Sequence, residues 1–201
     1  DMLPGAGHDD GWFFEKARQL VAGKWWGPFS EMTLIKGPGY SFFLAANYVL
    51  GVPVTLSQAL FYAFACALFS LAVLRLSRST PLSLAIFLLM LWHPGVLPTR
   101  LIRDDIYGGQ GLIVFACLIH FLFLPLAIRA RIVWAVAAGL SFGWLWMTRE
   151  EGVWILPATA ILCGARIWQD RALLRPAGVF VATAIFAWSF VAAGTLIAYH
   201  T

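Results

Sequence analysis

Three polar clusters interrupt an otherwise apolar chain, and each mixes carboxylates with groups able to carry positive charge. The first is His8-Asp9-Asp10. The second is Arg103-Asp104-Asp105, with Arg100 and Tyr107 beside it, and the third is Arg149-Glu150-Glu151. Lys36, just before Gly37-Pro38-Gly39, adds a further cation. A carboxylate can take a proton from an attacking hydroxyl as general base. Arg grips a phosphate through its planar fork and Lys as a point charge. In a transition state both would neutralise charge growing on a departing phosphate. Gathered beside an apolar wall that suits a polyprenyl tail, these groups describe glycosyl transfer from a lipid-phosphate sugar. Each cluster also has a plainer reading. Asp9 or Asp10 can be a helix cap, Arg103 with its Asp pair a loop-closing ion pair, and Arg149 with its Glu pair a solvated turn. Exposed pairs add little stability, and acids beside lipid are costly unless paired or lining a wet cavity. Three such clusters on one side therefore favour one site.

The elements that must position these groups are apolar helices. Hydrophobic residues make up 61% of the 201 positions and charged residues 12%, whereas a soluble domain has about 25% charged. With so few charges the stable surface is one that faces lipid. A helix needs about 20 residues to cross about 30 Å of hydrocarbon. Thr55 to Leu76, Ile106 to Ile128 and Ala177 to Tyr199 meet that length. Pro81 to Val96 and Ile132 to Met147 come close, and Gly152 to Trp168 contains Pro157, a potential kink. Arg75, Arg78, Arg129, Arg131, Arg166, Arg171 and Arg175 fall in alternate turns with a single acid, Asp170. The other nine of the ten acids fall on the opposite side. By the positive-inside rule the Arg-rich turns are cytoplasmic and the acidic clusters outside.

The stretch from Pro38 to Val52, with Gly-Pro corners at both ends, reaches only about 22 Å and reads as a helix in or near the outer interface, with a seventh span as the alternative. Before it, Gly11 to Gly23 sets Trp12, Phe13, Ala17 and Leu20 against Glu15, Lys16, Arg18 and Gln19, an amphipathic interfacial pattern. Asp9 or Asp10 stands at its N-cap position, and Trp25, Trp26 and Phe29 follow at headgroup depth. The expected fold is all-α, a polytopic transmembrane helix bundle. Residues 1–54 form an outer loop with two interfacial juxtamembrane helices, and residues 55–201 a bundle of six helices. The net charge of +4 comes without a basic cluster of the kind that binds nucleic acid. Cys66, Cys117 and Cys163 lie in apolar stretches and read as small buried hydrophobes. The start at Asp1 and the apolar end suggest a piece of a longer chain, expected to be inactive in isolation.

At these residues the sequence resembles the GT-C superfamily of membrane glycosyltransferases, nearest in pattern to lipid A aminoarabinose transferases and protein O-mannosyltransferases. The resemblance lies in Asp9-Asp10-Gly11-Trp12-Phe13, Ala17, Leu20 and Gly23, then Lys36-Gly37-Pro38-Gly39-Tyr40 and a helix ending at Gly51. Downstream it continues in Asp105-Ile106-Tyr107, with Asp104 adjacent, and in Met147-Thr148-Arg149-Glu150-Glu151-Gly152. That last stretch has Arg where the family has Lys in a Thr-Lys-Gly-like hairpin, and two extra acids. The resemblance implies an inverting transferase on the outer face of a bacterial inner (plasma) membrane, using a polyprenyl-phosphate sugar donor. It implies Asp9 or Asp10 as catalytic base, and the choice between them stays open. Lys36, Arg103 and Arg149 would bind the donor phosphate; Asp104, Asp105, Tyr107 and Glu150 would shape the substrate pocket. The cofactor stays unknown; a divalent metal ion, held by His8, Asp9, Asp10 or Glu150, is one option.

A second class of function is transport or lipid flipping without covalent chemistry. It would use polar groups at mid-membrane depth or paired broken helices. Asn47, Gln58 and His120 are the candidates, and Gly108-Gly109-Gln110 is a place where a helix start could unwind. A membrane scaffold is a third class, recognisable by indifference to loss of the acids.

Overall fold

A computed structural model describes residues 9–25, 27, 28, 33, 36–92 and 103–200, with Asp9, Asp10 and His200 given by backbone alone. His8, Trp26, Phe29, residues 93–96 and Arg100, all named above, lie outside the described residues. The regular elements are all helical. They are α1 (Asp9–Val21), α2 (Gly39–Leu50), α3 (Val54–Ser77), α4 (Thr80–Leu91), α5 (Asp104–Phe123), α6 (Ile128–Thr148), α7 (Ile155–Gln169) and α8 (Leu174–His200). Two 3-10 turns, Glu150–Trp154 and Arg171–Leu173, precede α7 and α8.

Among the described residues, four segments are long and apolar enough to cross a membrane: α3, α5, α6 and Arg171–Tyr199. α4 and α7, with 12 and 15 residues, are shorter, reaching about 18 and 22 Å. α5 is the inner helix, with 56% of its apolar window buried against 22% for α3 and 11% for the last segment. Val114, Cys117, Leu118, Phe121 and Leu122 of α5 pack on Ala135, Ala138 and Phe142 of α6 and on Phe180 of α8. Leu60 and Phe64 of α3, and Phe186 and Phe190 of α8, remain exposed. In water such surface costs about 25 cal/mol per Å²; in lipid it does not. A membrane bundle is the arrangement these helices fit.

Small residues let α6 and α8 approach. Gly139 faces Thr183 and Phe180, and a Cβ on Gly143 would come within 2.7 Å of that of Ala187. The pair is a small-xxx-small seam of the kind membrane helices use. α1 and α2 form a second core across one end of the bundle, where Phe13, Ala17, Tyr40, Leu44 and Ile106 enclose one another. Gly51 ends α2 in the left-handed region (φ 67°). There Val52 N–H reaches Asn47 O at 3.1 Å, a closure that favours glycine.

Several boundaries differ from the sequence expectation. α1 begins at Asp9, so Asp9 and Asp10 lie in its first turn rather than at an N-cap. α5 stops at Phe123 instead of continuing to Ile128, because Pro125 keeps Leu124 extended (φ −85°, ψ 143°). α6 starts at Ile128, which puts Arg129 and Arg131 in its first turn and brings it to 21 residues. Pro157 falls in the first turn of α7, where a missing N–H costs no helical bond, so the expected kink is not needed. α5 runs unbroken through Gly108-Gly109-Gln110, so the unwinding that the transport alternative could use there is not present. The reason is close packing: Gly109 seats the ring of Phe61, and Gln110 is tied to α6.

Candidate functional site

The chain reverses so that its polar groups sort to two ends. At one end Arg131 pairs with Asp170 at 3.2 Å, and Arg166 donates to Leu122 O at 3.0 Å. These contacts join the end of α5, the start of α6 and the end of α7. At the opposite end stand Lys36, the start of α5 and the turn after α6.

The corner before α2 sets the position of Lys36. Gly37 and Gly39 lie flat on the backbone of Met147 and Thr148, closer than any side chain would allow. Trp144 Nε1 donates to Gly39 O at 3.0 Å, fixing that corner to the last turn of α6. Lys36, buried itself, comes to lie with its Nζ 5.8 Å from the ring centre of Phe13. Arg103 crosses the same ring at 6.0 Å. Both fall within cation–π range, so Phe13 is a shared platform for two of the expected phosphate-binding cations. Asp9 and Asp10 lie on α1 one turn before Phe13, which brings the backbone of the expected base to this end.

α5 opens with Asp104 and Asp105 in its first turn, where the helix dipole favours negative charge. Asp105 Oδ2 accepts from Gln58 Nε2 of α3 at 3.2 Å, and the same amide reaches Tyr40 OH at 3.2 Å. Arg149 follows α6 in extended conformation and breaks the helix there. Its fork closes on Glu151, with one N–H at 2.8 Å from Oε1, while another N–H pairs with Asp104. Its guanidinium lies 5.6 Å from the ring centre of Tyr107. Arg103 donates to both oxygens of Glu150, at 3.1 and 3.4 Å. The hydrogen bond to Arg149 is the main cause holding Glu151 below the ordinary carboxylate range, and the same bond raises the Arg149 pKa.

Arg103, Asp104, Asp105, Tyr107, Arg149 and Glu150 thus meet Lys36 at one end of the bundle. The turn at Glu150–Trp154 keeps the exposure that a solvated turn implies, with Glu150 and Glu151 at the surface, while Gly152 is buried against Trp146 and anchors it. Three members of this end, Phe13, Tyr40 and Gln58, are not among the site residues expected from sequence, and Glu151 is named there with its cluster but given no separate role. Gln58 had stood only as a transport candidate, although a lone amide in an apolar helix is a signal for a partner. Beneath the charges, Gln110 Nε2 donates to Thr148 Oγ1 at 2.9 Å, and Thr148 donates to Trp144 O at 3.0 Å. This buried link ties α5 to the turn that carries Arg149.

Two further observations describe the site's surroundings. A groove of about 1180 Å³ opens between α1 and α2, lined by Phe14, Ala17, Val21, Leu44, Asn47 and Val52 among others. It shares no lining residue with the charged cluster, which adjoins it where Phe13, under Lys36 and Arg103, follows on from Phe14 of the groove's lining. Among the described residues no three His, Cys, Asp or Glu side chains are grouped to hold a metal ion. His8 and the Asp9 and Asp10 side chains lie outside that description, and Glu150 is engaged by Arg103. No family model, curated protein or solved structure matches this chain.

Proposed function

We propose that this chain is the active-site portion of a GT-C-like membrane glycosyltransferase. It transfers a sugar from a polyprenyl-phosphate donor to an acceptor hydroxyl on the outer face of a bacterial inner membrane. The observation that carries this reading is the convergence of Lys36, Arg103 and Arg149 with Asp104 and Asp105 at one end of an apolar bundle. α1 and α2 are then the two juxtamembrane helices of the outer loop. The 12-residue α2 is too short to cross, and Trp12 and Trp25 suit headgroup depth. The apolar groove between them suits a prenyl chain lying next to its phosphate.

In the reaction the acceptor oxygen attacks the anomeric carbon as the bond from that carbon to the phosphate oxygen breaks. The electron pair leaves with the phosphate, whose growing charge Lys36, Arg103 and Arg149 neutralise. The acceptor proton passes to Asp9 or Asp10. Replacing both by Asn in the full-length protein is expected to lower sugar transfer by about 10²- to 10⁴-fold at normal expression. Unchanged transfer would remove the proposed base. Arg103→Ala and Arg149→Ala are expected to raise the KM for donor, and wild-type donor kinetics would remove their phosphate role.

A transporter or flippase is the second reading. It draws on His120, buried in α5 against Trp134 at 3.9 Å between ring centres with Nε2 unpartnered. Translocation of a labelled lipid by reconstituted protein, lost in His120→Leu with sugar transfer absent throughout, would favour it.

A further inference from the structure

Both arginines that the sugar-transfer reading assigns to phosphate already hold a carboxylate. Glu150 presents both oxygens to Arg103, and Glu151 both oxygens to Arg149, the fork-to-fork geometry in which arginine binds phosphate. Asp104 takes a further N–H of Arg149. The arginine side chains are the less exposed partners, at 15% and 26% for Arg103 and Arg149, while the side chains of their three acids are 46–51% exposed. The cations are therefore anchored against Phe13 and Tyr107, and the acids are the groups free to swing outward. With Lys36 and Asp105 included, three cations (Lys36, Arg103, Arg149) face four carboxylates (Asp104, Asp105, Glu150, Glu151) at this end, so an arriving phosphate meets a patch that is net negative.

We propose that Glu150 and Glu151 are resident counter-anions of the phosphate site, which a lipid phosphate must displace from Arg103 and Arg149 in order to bind. The proposal rests on the phosphate role given to the two arginines. The exchange needs no change in the bundle. Glu150 and Glu151 stand at the start of the 3-10 turn, and rotation of their side chains releases both forks while buried Gly152 keeps the turn in place. Empty, the arginines are neutralised and held in position. Occupied, they exchange one anion for another, and the freed carboxylates face the aqueous side. The bond to Arg149 holds Glu151 below the ordinary carboxylate range, so it carries its charge at neutral pH and competes there.

The test is binding of a polyprenyl phosphate to the full-length protein in nanodiscs of zwitterionic lipid, with the uncharged polyprenol as control. Wild type is expected to bind the phosphate and not the alcohol. Glu150→Gln and Glu151→Gln, which keep shape and remove charge, are each expected to bind it about threefold to tenfold tighter, with the double variant tightest. Asp170→Asn, at the other end of the bundle, is expected to leave binding unchanged. If the Gln variants bind as wild type does, or more weakly, the counter-anion proposal is overturned while the phosphate site stands. If no variant, wild type included, distinguishes phosphate from alcohol, the phosphate site and the proposal fall together.

Discussion

Arg149 divides its fork between Glu151 and Asp104 and lays its plane near Tyr107. Geometry of that kind separates a built contact from two charges that happen to be close. Arg103 is similar, with Glu150 on one side and the face of Phe13 on the other. The pairs are partly exposed and contribute little to stability, each on the order of 1 kcal/mol or less. Their role is to hold the arginines in place. One consequence is a pH signature. The folded pKa of Glu151 lies below its unfolded value, so the contribution of its pairing is present above the ordinary carboxylate range and is lost as pH falls through the lowered value. Carbon-13 NMR of the labelled Glu151 carboxyl is expected to give a midpoint below that of a free glutamate. In Arg149→Ala the midpoint should return to the free value; an unshifted midpoint in the wild-type protein would remove the clasp. The residues of this end were legible in sequence as unbalanced charges in apolar surroundings. Phe13 and Gln58 carry no site role in sequence, because their roles depend on helix rotation and on partners 18 to 90 positions away.

At the scale of elements, the site depends on how closely α2 meets α6. Gly39 seats its backbone on Thr148, and a Cβ there would come within 2.8 Å of Thr148 N. Gly39→Val is expected to push the corner away, break the Trp144 hydrogen bond, and destabilise by about 1–3 kcal/mol. Thermal unfolding in detergent should show the loss as a lowered midpoint, together with a raised KM for donor as Lys36 shifts. Gly164→Ala is the matched control. A Cβ there meets nothing within 4 Å, and in a helix interior alanine is favoured by up to about 1 kcal/mol. Its midpoint should hold or rise. Equal midpoints for Gly39→Val and wild type would show that the corner carries no packing. Helix existence was readable from apolar length; helix ends were less so. Proline at 125 and 157 acts through the residue before it or through its place in the first turn, and the Arg residues expected in loops prolong α6 and α8 instead. Arginine is a good helix former whose long stem reaches water from inside the helix.

Across the whole molecule, an even alternation of helix direction brings residues distant in sequence to common ends. Arg131, Arg166 and Asp170 meet at one, and Lys36, Arg103, Asp104 and Arg149 at the other. The charge asymmetry behind this sorting was visible in sequence, since it requires only that spans alternate. The groove beside the charged patch was not visible, because it arises from how α1 and α2 pack. The sugar-transfer account requires the two ends to lie on opposite sides of the membrane. Single cysteines at positions 129 and 150, in full-length protein with Cys66, Cys117 and Cys163 replaced by Ala, test this with a membrane-impermeant maleimide on intact cells. Labelling of position 150 from outside, and of position 129 only after the membrane is opened, is the predicted result. Labelling of both from the same side would contradict the account and leave the proposed chemistry without a place to occur.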